Sequence, residues 1–328
     1  MSATIPAPSV NNLRRDLERQ RERLQVALDA RSDVRLAELL AEVDQALGRI
    51  ESGGYGICEI CHESIGPKAI ATDPCIRFCL DHLSEAEQRR LESDLELAAR
   101  VQSRLLPEPR IELGGWEVAH RYEPMGPVGG DYCDVVRAAG NSFYFFLGDV
   151  SGKGVAASLL AAQLHGLFRT LVVLDLPLET MVERANRVFS ESILAGHFAT
   201  LICGHAFPDG AIDFINAGHP PPLVIRAGRA HPIERGGHPL GLFSDGNHQT
   251  ERLELAPGES LLLYTDGLSE STGPSNEEYG WDRAAVAAAG SREKAEEIVE
   301  ACVADAARFR ASAPRTDDLT VMALRRID

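Results

Sequence analysis

Several aspartates lie at the ends of apolar strands, and their positions suggest metal binding or catalysis more clearly than those of other residues in this sequence. The string "VGGDYCDV" at 128–135 places Asp131 directly after two glycines and Asp134 three residues further on. Three further strings, "FFLGDVSGKG", "LLLYTDGLSE" and "RTDDLTVMAL", place Asp149, Asp266 and the Asp317/Asp318 pair beside Gly-rich or polar turns. Aspartates at strand ends can converge on one rim of a β-sandwich, where their summed charge requires bound cations. Oxygen ligands of this kind favour Mg²⁺ or Mn²⁺.

The geometry of the first string separates its two carboxylates. Gly129 and Gly130 lack a Cβ, which allows a tight turn and leaves room for metal-bound water or substrate beside the backbone. Residues three apart on a strand point to opposite faces, so Asp131 and Asp134 are not expected to share a metal. Asp131 is the predicted ligand because it lies nearer the glycine turn.

A second set of metal-binding residue types is the cysteine cluster "CEICHESIGPKAIATDPCIRFCLDH". Cys58-x2-Cys61 is separated by 17 intervening residues from Cys79-x2-His82. Two such knuckles suit tetrahedral Zn²⁺ with three thiolates and one imidazole. A competing set uses Cys75 with Cys79 and leaves His82 out, and a further alternative is a group of buried reduced thiols.

The elements before these strands are predicted to be helical. Residues 1–50 form a helical hairpin or coiled coil with a break near "DARSDV", and residues 51–83 form a compact Cys-rich segment. A linker helix follows over 84–107, with a Ser84 cap. Its stripe has heptad spacing, which fits either docking on its own domain or a homodimer: Leu91, Leu95, Ala98, Gln102 and Leu105.

Beyond Trp116 the pattern changes to nine short β-rich runs separated by turn signals such as "PDG" and "APGE". Helical stretches are predicted at about 155–173, 177–195 and 282–311. Many strands with a few inserted helices predict an α+β sandwich whose sheets pack together and whose helices cover the outer faces.

Composition narrows the classes of function. The chain has 328 residues and a formal net charge of −16, and residues 111–328 contain 18 Lys+Arg against 30 Asp+Glu. Such a surface repels nucleic acid and anionic membranes, and it accepts a phosphorylated substrate only where bound cations reverse the local field. No signal peptide or membrane span is evident, so a cytoplasmic protein is expected.

The order of the strand-end strings resembles a known family. "VGGDYCDV", "FFLGDVSGKGVAASLLAA", "FATLICGHAF", "FINAGHPPPLVI", "LLLYTDGLSE" and "RTDDLTVMAL" are similar to the SpoIIE/RsbU-type branch of the metal-dependent serine/threonine protein phosphatases (PPM type). The resemblance implies a PPM-type β-sandwich flanked by helices over 108–328, and a phosphatase of bacterial signalling. "LAARVQSRLLPEP" resembles the helix that precedes the phosphatase core in this family and serves regulation.

The resemblance also implies roles for individual residues. Asp131, Asp149, Asp266 and Asp317 would ligate two Mn²⁺ or Mg²⁺ ions, with Asp149 bridging them and the Val150 carbonyl as an additional ligand. The motif favours Asp317 over Asp318. The two ions would activate a water molecule for in-line attack on phosphorus and stabilise charge on the phosphoryl oxygens.

The sequence departs from the wider PPM family at two positions. The Arg that grips the substrate phosphate and the His proposed as general acid have no motif-matched counterpart, and Arg121 and His219 are near only in motif terms. His219 is expected to organise its loop. "GDVSGKG" is one residue short of a P-loop and ends in Gly154 rather than Ser or Thr, which excludes that interpretation; Lys153 is expected to be a solvated turn residue.

The cysteine segment resembles the zinc finger of the DksA/TraR family, which also follows a helical hairpin. The resemblance implies one structural Zn²⁺ held by Cys58, Cys61, Cys79 and His82, with Cys75 a spare thiol. The leading hypothesis is a phosphatase acting on a phosphoprotein, such as an anti-anti-sigma (STAS) protein, with the zinc module as sensor or docking element. The alternative is a DksA-like RNA-polymerase-binding regulator with an inactive phosphatase scaffold, for which an acidic tip at Asp29 and Asp33 is a loose match.

Overall fold

The computed structural model describes residues 10–30, 34–66, 69–70, 73–79, 85–193, 197–234, 236–243, 248–290 and 293–327. These residues fall into two compact units, 1–94 and 95–328. Each unit is described by itself below. The boundaries of the four predicted segments remain predictions.

The first unit contains the predicted hairpin. Helix α1 (Val10–Ala30) and helix α2 (Val34–Ser52) pack along each other, with Leu17, Val43 and Ala46 buried between them. The leucine spacing of three and four residues places these side chains on one face of each helix. α2 ends where Gly53 adopts a positive φ of 75°, a conformation that suits a residue without a Cβ.

The cysteine segment is fastened to the end of this hairpin. The Arg49 guanidinium donates a hydrogen bond to the Cys75 carbonyl at 2.8 Å, and the Tyr55 hydroxyl donates to the Pro74 carbonyl at 2.8 Å. Arg77 forms an ion pair with Glu59 at 2.6 Å. These bonds connect both halves of the segment, which is too short to have a core of its own.

Helix α3 (Glu85–Ser103) is the predicted linker helix, and the division between the two units lies within it. Its apolar side chains are not all covered, since Leu91, Leu97 and Val101 are each more than half exposed. The helix ends at Ser103, where a turn formed by bonds from the Arg104 and Leu105 amides begins.

The second unit is a sandwich of two antiparallel sheets. The six-stranded sheet has the order β1 (Arg110–Leu113), β2 (Trp116–Glu123), β11 (Leu319–Arg326), β10 (Ser260–Tyr264), β7 (Leu223–Arg226), β8 (Arg229–Pro232). The five-stranded sheet has the order β3 (Asp131–Arg137), β4 (Phe143–Val150), β5 (Ala199–Ala206), β6 (Ala211–Ala217), β9 (Glu251–Glu254).

Helices cover both outer faces. Helices α4 (Gly154–Val172) and α5 (Leu178–Ser192) pack on the five-stranded sheet. Helices α6 (Asp266–Ser269), α7 (Gly280–Ala288) and α8 (Ala295–Arg310) lie on the six-stranded one. The result is a four-layer α+β sandwich, which confirms the predicted fold class.

The sequence of β4 shows how one strand serves two cores. Phe143, Phe145 and Leu147 point into the core between the sheets, whereas Tyr144 and Phe146 point into the core under α4 and α5. All five are buried, so the strand is apolar on both faces and shows no polar alternation.

Helix α4 is, within the described ranges, the one helix long and apolar enough to cross a membrane by length and composition. In this structure Ala157, Ala161, Leu164 and Phe168 pack against the sheet beneath it. Its apolarity is therefore that of a core helix covering a sheet.

The nine predicted strands and the first two helices of the sandwich are present, with two differences. β1 and β8 were not predicted, because they are four-residue edge strands with alternating polar residues and, in β8, a proline. The predicted helical stretch at 282–311 is wrong as one unit. It is divided into α7 and α8, and Gly290 between them has a φ of 109°.

Candidate active site

Strand pairing brings the first two predicted ligands together. Asp131 opens β3 and Asp149 lies near the end of β4, and the antiparallel register places them directly opposite each other. Side chains of directly opposed residues share one face of a sheet at close range. The carbonyl of Val150 faces the glycine turn, since a Cβ on Gly130 would lie 2.9 Å from it.

Two hydroxyls hold the Asp131 carboxylate. Thr265 donates to its Oδ2 at 3.0 Å, and Thr320 donates to the same oxygen. Asp134 points the other way and accepts two hydrogen bonds from the Arg169 guanidinium of α4 at 2.8 and 2.9 Å. The prediction that the two aspartates face opposite sides of β3 is therefore confirmed.

The other two predicted ligands line a neighbouring cleft. Asp266 begins α6 directly after β10, and Asp317 precedes β11. The cleft is lined by Lys153, Asp266, Gly267, Glu270, Thr272, Glu278, Thr316 and Asp317. It is thus an acidic depression to which the ends of both sheets contribute.

The adjacent carboxylates Asp317 and Asp318 have different surroundings. Asp318 is buried and accepts hydrogen bonds from the amides of Met125 at 2.6 Å and Gly130 at 2.7 Å. A Cβ on Gly129 would lie 2.6 Å from the Asp318 carboxylate, so this close approach requires glycine. Asp318 therefore shapes the turn before Asp131, and Asp317 faces the cleft.

Burial and neighbouring carboxylates raise the pKa of three of these aspartates. Burial, followed by the charges of Asp266, Asp317 and Asp318, raises the pKa of Asp149 to about 7. Burial and the neighbouring Glu270 and Asp317 raise the pKa of Asp266 to about 6. Burial, then Asp149, raises the pKa of Asp131 well above its usual range. Such a group binds divalent cations because they remove this repulsion.

The donor set fits Mn²⁺ or Mg²⁺. It consists of carboxylate oxygens and one backbone carbonyl, the hard ligands that both ions prefer. Among the described His, Cys, Asp and Glu side chains, three thiols, and not the carboxylates, form a group with all ligand atoms within 4.8 Å of one another. The oxygens of the described carboxylates are thus spaced more widely than the ligand atoms of the thiol group.

Helix α3 reaches this site through one side chain. The Gln102 amide donates to the Gly129 carbonyl at 2.7 Å and accepts from the Gly129 amide at 3.1 Å. The Tyr122 hydroxyl donates to the same Gln102 oxygen at 3.2 Å. Gln102 thus binds both backbone groups of a residue two positions before Asp131, and we call this arrangement the Gln102 clamp.

Lys153 lies about half exposed in the turn between β4 and α4, as predicted, and it also makes two contacts that the sequence did not suggest. Its ammonium group lies 2.8 Å from the Asp317 carboxylate and donates to the Thr316 carbonyl. An isolated Lys between glycines gives no indication that residues 316–317, more than 150 positions later, lie beside it.

Neither residue that was near in motif terms enters the cleft. Arg121 forms ion pairs with Glu123 at 3.0 Å and Glu300 at 3.8 Å. His219 is buried: Asn216 binds its backbone amide and carbonyl, and Thr200 its Nδ1 at 2.9 Å. Burial lowers the pKa of His219 to about 3, so the ring is neutral and organises its loop.

Three of the four predicted zinc ligands come together. The ligand atoms of Cys58, Cys61 and Cys79 lie within 4.8 Å of one another, and the Sγ atoms of Cys61 and Cys79 are 3.8 Å apart. Burial raises the pKa of Cys58, but hydrogen bonds from the backbone amides of Cys61, Cys79 and Ile60 outweigh it and lower the pKa to about 6. The stabilised thiolate fits Zn²⁺.

The competing set of zinc ligands uses Cys75 and leaves His82 out. His82 lies outside the described residues, as does Asp33 of the predicted acidic hairpin tip. Cys75 packs against the hairpin core, and burial, followed by Asp73 and Glu42, raises its pKa to about 11. A thiol held in this protonated form is a poor metal ligand.

The sequence analysis missed Thr265, Thr320 and Gln102 as parts of the site. A signal existed for Gln102, which is the polar member of an otherwise apolar heptad stripe. A hydroxyl on a buried strand, as in Thr320, has no comparable signal, because Thr is common in strands for its shape alone.

Comparison with known proteins shows to which family the chain belongs. The family model for Stage II sporulation protein E (SpoIIE) matches residues 139–327. The chain belongs to the SpoIIE family. Its fold is that of the PP2C phosphatases: the SiaA-PP2C domain of Pseudomonas aeruginosa superposes with a TM-score of 0.65 at 19% identity, covering 75% of this chain and 100% of that one.

Two relatives match different parts of this SpoIIE-family chain. Phosphoserine phosphatase RsbP of Bacillus subtilis is 29% identical over 185 residues, 55% of this chain and 46% of RsbP. RNA polymerase-binding transcription factor DksA of Caulobacter vibrioides is 35% identical over 63 residues, 19% of this chain and 44% of DksA. The chain spans about a third to just over a half of the length of three curated relatives that it matches.

Proposed function

We propose that this chain is a Mn²⁺- or Mg²⁺-dependent protein serine/threonine phosphatase. The observation that carries the proposal is the meeting of Asp131 and Asp149 across paired strands, beside the cleft that Asp266 and Asp317 line. Similarity to the phosphoserine phosphatase RsbP supports it. Raised pKa values at Asp149 and Asp266 are expected of carboxylates that bind cations.

Asp131, Asp149, Asp266, Asp317 and the Val150 carbonyl would hold two cations. When bound, these ions supply the charge that lowers the pKa of a water nucleophile and neutralises the phosphoryl oxygens. Side chains of the protein position these ligands. Thr265 and Thr320 orient Asp131, and Asp318 fixes the turn that leads into it. Preorganised ligands of this kind avoid reorganisation during the reaction.

We infer that the substrate is a phosphoserine or phosphothreonine protein of bacterial signalling, such as an anti-sigma factor antagonist, in the cytoplasm. The N-terminal module would be its sensor or docking element. One Zn²⁺ held by Cys58, Cys61, Cys79 and His82 would fold that module, because the segment between Gly53 and Leu83 is too short to have a core of its own. The cleft is open and polar, which suits a phosphorylated side chain on a protein surface.

A homodimer through α3 is part of the same proposal. Leu91 of the heptad stripe is exposed, and Leu97 and Val101 expose further apolar surface beside the stripe, which a second copy of the helix could cover. Light scattering at micromolar concentration measures the mass directly. A monomer, or a dimer that persists when Leu91 and Leu95 are both replaced by Glu, contradicts this part.

The decisive experiment is phosphate release from a phosphoserine peptide by the full chain, with and without Mn²⁺. Release should require Mn²⁺ and should fall about a hundredfold or more in Asp149→Asn, since even indirect damage to a metal site costs 10- to 100-fold. Asp282→Asn is the matched control, because Asp282 is an exposed aspartate on α7.

Two outcomes would contradict the proposal. Release that is independent of Mn²⁺, or unchanged in Asp149→Asn, excludes the two-metal mechanism. Absence of release from the wild type with every phosphopeptide and phosphoprotein tried, together with polymerase co-purification that depends on Asp29 and Asp33, favours the DksA-like alternative.

A further inference from the structure

The cleft beside the proposed metal site has a marked charge imbalance. Four of its lining residues are acidic, namely Asp266, Glu270, Glu278 and Asp317, and Lys153 is the one basic residue among the eight that line it. A phosphomonoester carries nearly two negative charges at neutral pH. A cation on the protein would therefore have a large effect on phosphate binding here.

Lys153 lies in a loop that is anchored at Ser151. The loop leaves β4 after Asp149 and Val150 and enters α4 at Gly154. Ser151 anchors it, because its hydroxyl accepts from the Phe198 amide at 2.9 Å and its carbonyl contacts His197 Nδ1 at 3.1 Å. The Lys153 side chain is about half exposed, so its four-carbon stem can turn while its backbone stays in place.

The guanidinium groups of Arg121 and Arg315 already pair with other residues. Arg121 is paired with Glu123 and Glu300. Arg315 donates to the Glu123 carboxylate at 2.9 Å and to the Pro124 carbonyl at 2.9 Å. Among the side chains that the structure describes around the cleft, only the Lys153 ammonium both lines it and contacts a proposed ligand, Asp317.

We propose that Lys153 is a catalytic residue that binds the phosphoryl oxygens of the substrate and so replaces the phosphate-gripping arginine that the sequence lacks. This inference rests on the proposed function. A carboxylate that binds a divalent cation is a weaker partner for an ammonium group, so metal loading of Asp317 releases Lys153 toward an anion in the cleft. Lys binds phosphate as a point charge, which fits a side chain that has to change partner.

A simpler role for Lys153 predicts different measurements. If it only neutralises Asp317, its removal should tighten Mn²⁺ binding and leave phosphate binding unchanged. If it binds the phosphoryl group, its removal should weaken phosphate binding even when Mn²⁺ is saturating. The two roles are therefore distinguished by titrating metal and phosphate separately.

The test uses the full chain as wild type, Lys153→Met, Lys153→Arg and Lys294→Met. Lys294 is a matched control, because it is also an exposed lysine in extended conformation directly before a helix, α8. Calorimetry measures Mn²⁺ binding, then inorganic phosphate binding at saturating Mn²⁺. Kinetics with a phosphoserine peptide at the same Mn²⁺ concentration give KM and kcat.

We expect Lys153→Met to weaken phosphate binding and raise KM by about ten- to a hundredfold, the value of one charge-assisted hydrogen bond. Lys153→Arg should recover part of the loss, and Lys294→Met should match the wild type. Unchanged phosphate affinity and KM in Lys153→Met, with tighter Mn²⁺ binding, overturn the proposal.

Failure of the proposed function would give a different result. A wild type that binds phosphate with Mn²⁺ but releases none from any phosphoprotein fails as a phosphatase, and the Lys153 proposal is then decided by the phosphate affinity of Lys153→Met alone. A wild type that releases phosphate from the phosphopeptide, with the same KM in Lys153→Met, overturns the Lys153 proposal and leaves the proposed function standing.

Discussion

At the scale of single residues, the site depends as much on missing side chains as on the carboxylates. Gly129 and Gly130 allow Asp318, Tyr122 and the Val150 carbonyl to approach the backbone closely. These contacts fix the backbone directly before Asp131 and so position its carboxylate. The two glycines are therefore part of the candidate site although they have no functional group.

Gly129→Ala should displace the turn, because the new Cβ would lie 2.6 Å from both the Asp318 carboxylate and the Tyr122 hydroxyl. Overpacking of this kind costs about 1–3 kcal/mol, and the melting temperature should fall by about 2–4 °C per kcal/mol. Calorimetry should show that Mn²⁺ raises the melting temperature of the wild type, and Gly129→Ala should lose this rise.

Gly126→Ala is the control for this substitution, since its Cβ would approach no atom closer than 3.7 Å outside its immediate neighbours. It should keep the Mn²⁺-dependent rise. Equal behaviour of the two variants would show that the close approach at Gly129 does not position the site.

At the scale of secondary-structure elements, α3 is connected to the candidate site by the Gln102 clamp. Gln102→Ala removes the partner of the Gly129 amide and carbonyl, and buried backbone groups without partners cost about 1–3 kcal/mol. Mn²⁺ affinity should therefore fall by about tenfold, which corresponds to about 1.4 kcal/mol. Titration calorimetry on the full chain measures this change.

Ser103→Ala is a neighbouring control on the same helix, because the Ser103 hydroxyl bonds only within α3, to the Arg100 carbonyl. Equal Mn²⁺ affinity in Gln102→Ala and the wild type would mean that α3 does not act on the metal site through this clamp.

Much of the pattern of helices and strands was predictable from the sequence, and the exceptions have two causes. Buried strands such as β3, β4 and β11 announce themselves by apolar runs, and the aspartates at their ends lie where the runs stop. The edge strands β1 and β8 have no such run. Lys153 and Thr320 could not be assigned either, because their partners lie more than 150 residues away in sequence.

At the scale of the whole molecule, two metal centres of different chemistry are proposed, one in each unit. The thiols of the first unit suit a closed structural zinc, and the carboxylates of the second suit exchangeable hard cations. The two centres should therefore respond independently to chelators and to substitutions.

Cys79→Ser should lower the zinc content from one ion per chain to none, whereas Cys75→Ser should retain one ion, because Cys75 packs on the hairpin and keeps its proton. Elemental analysis of the purified chains measures zinc directly. Loss of zinc from Cys75→Ser instead would establish the competing ligand set that omits His82.

The candidate site draws on both sheets of the sandwich, since Asp131 and Asp149 belong to the five-stranded sheet and Asp266 and Asp317 flank strands of the six-stranded one. Cations held by residues of both sheets would bind only to the folded molecule, in which the two sheets pack together. Mass action then favours the folded state over the unfolded one. The supply of Mn²⁺ or Mg²⁺ in the cell would thus set the survival time of the chain against proteolysis as well as its turnover.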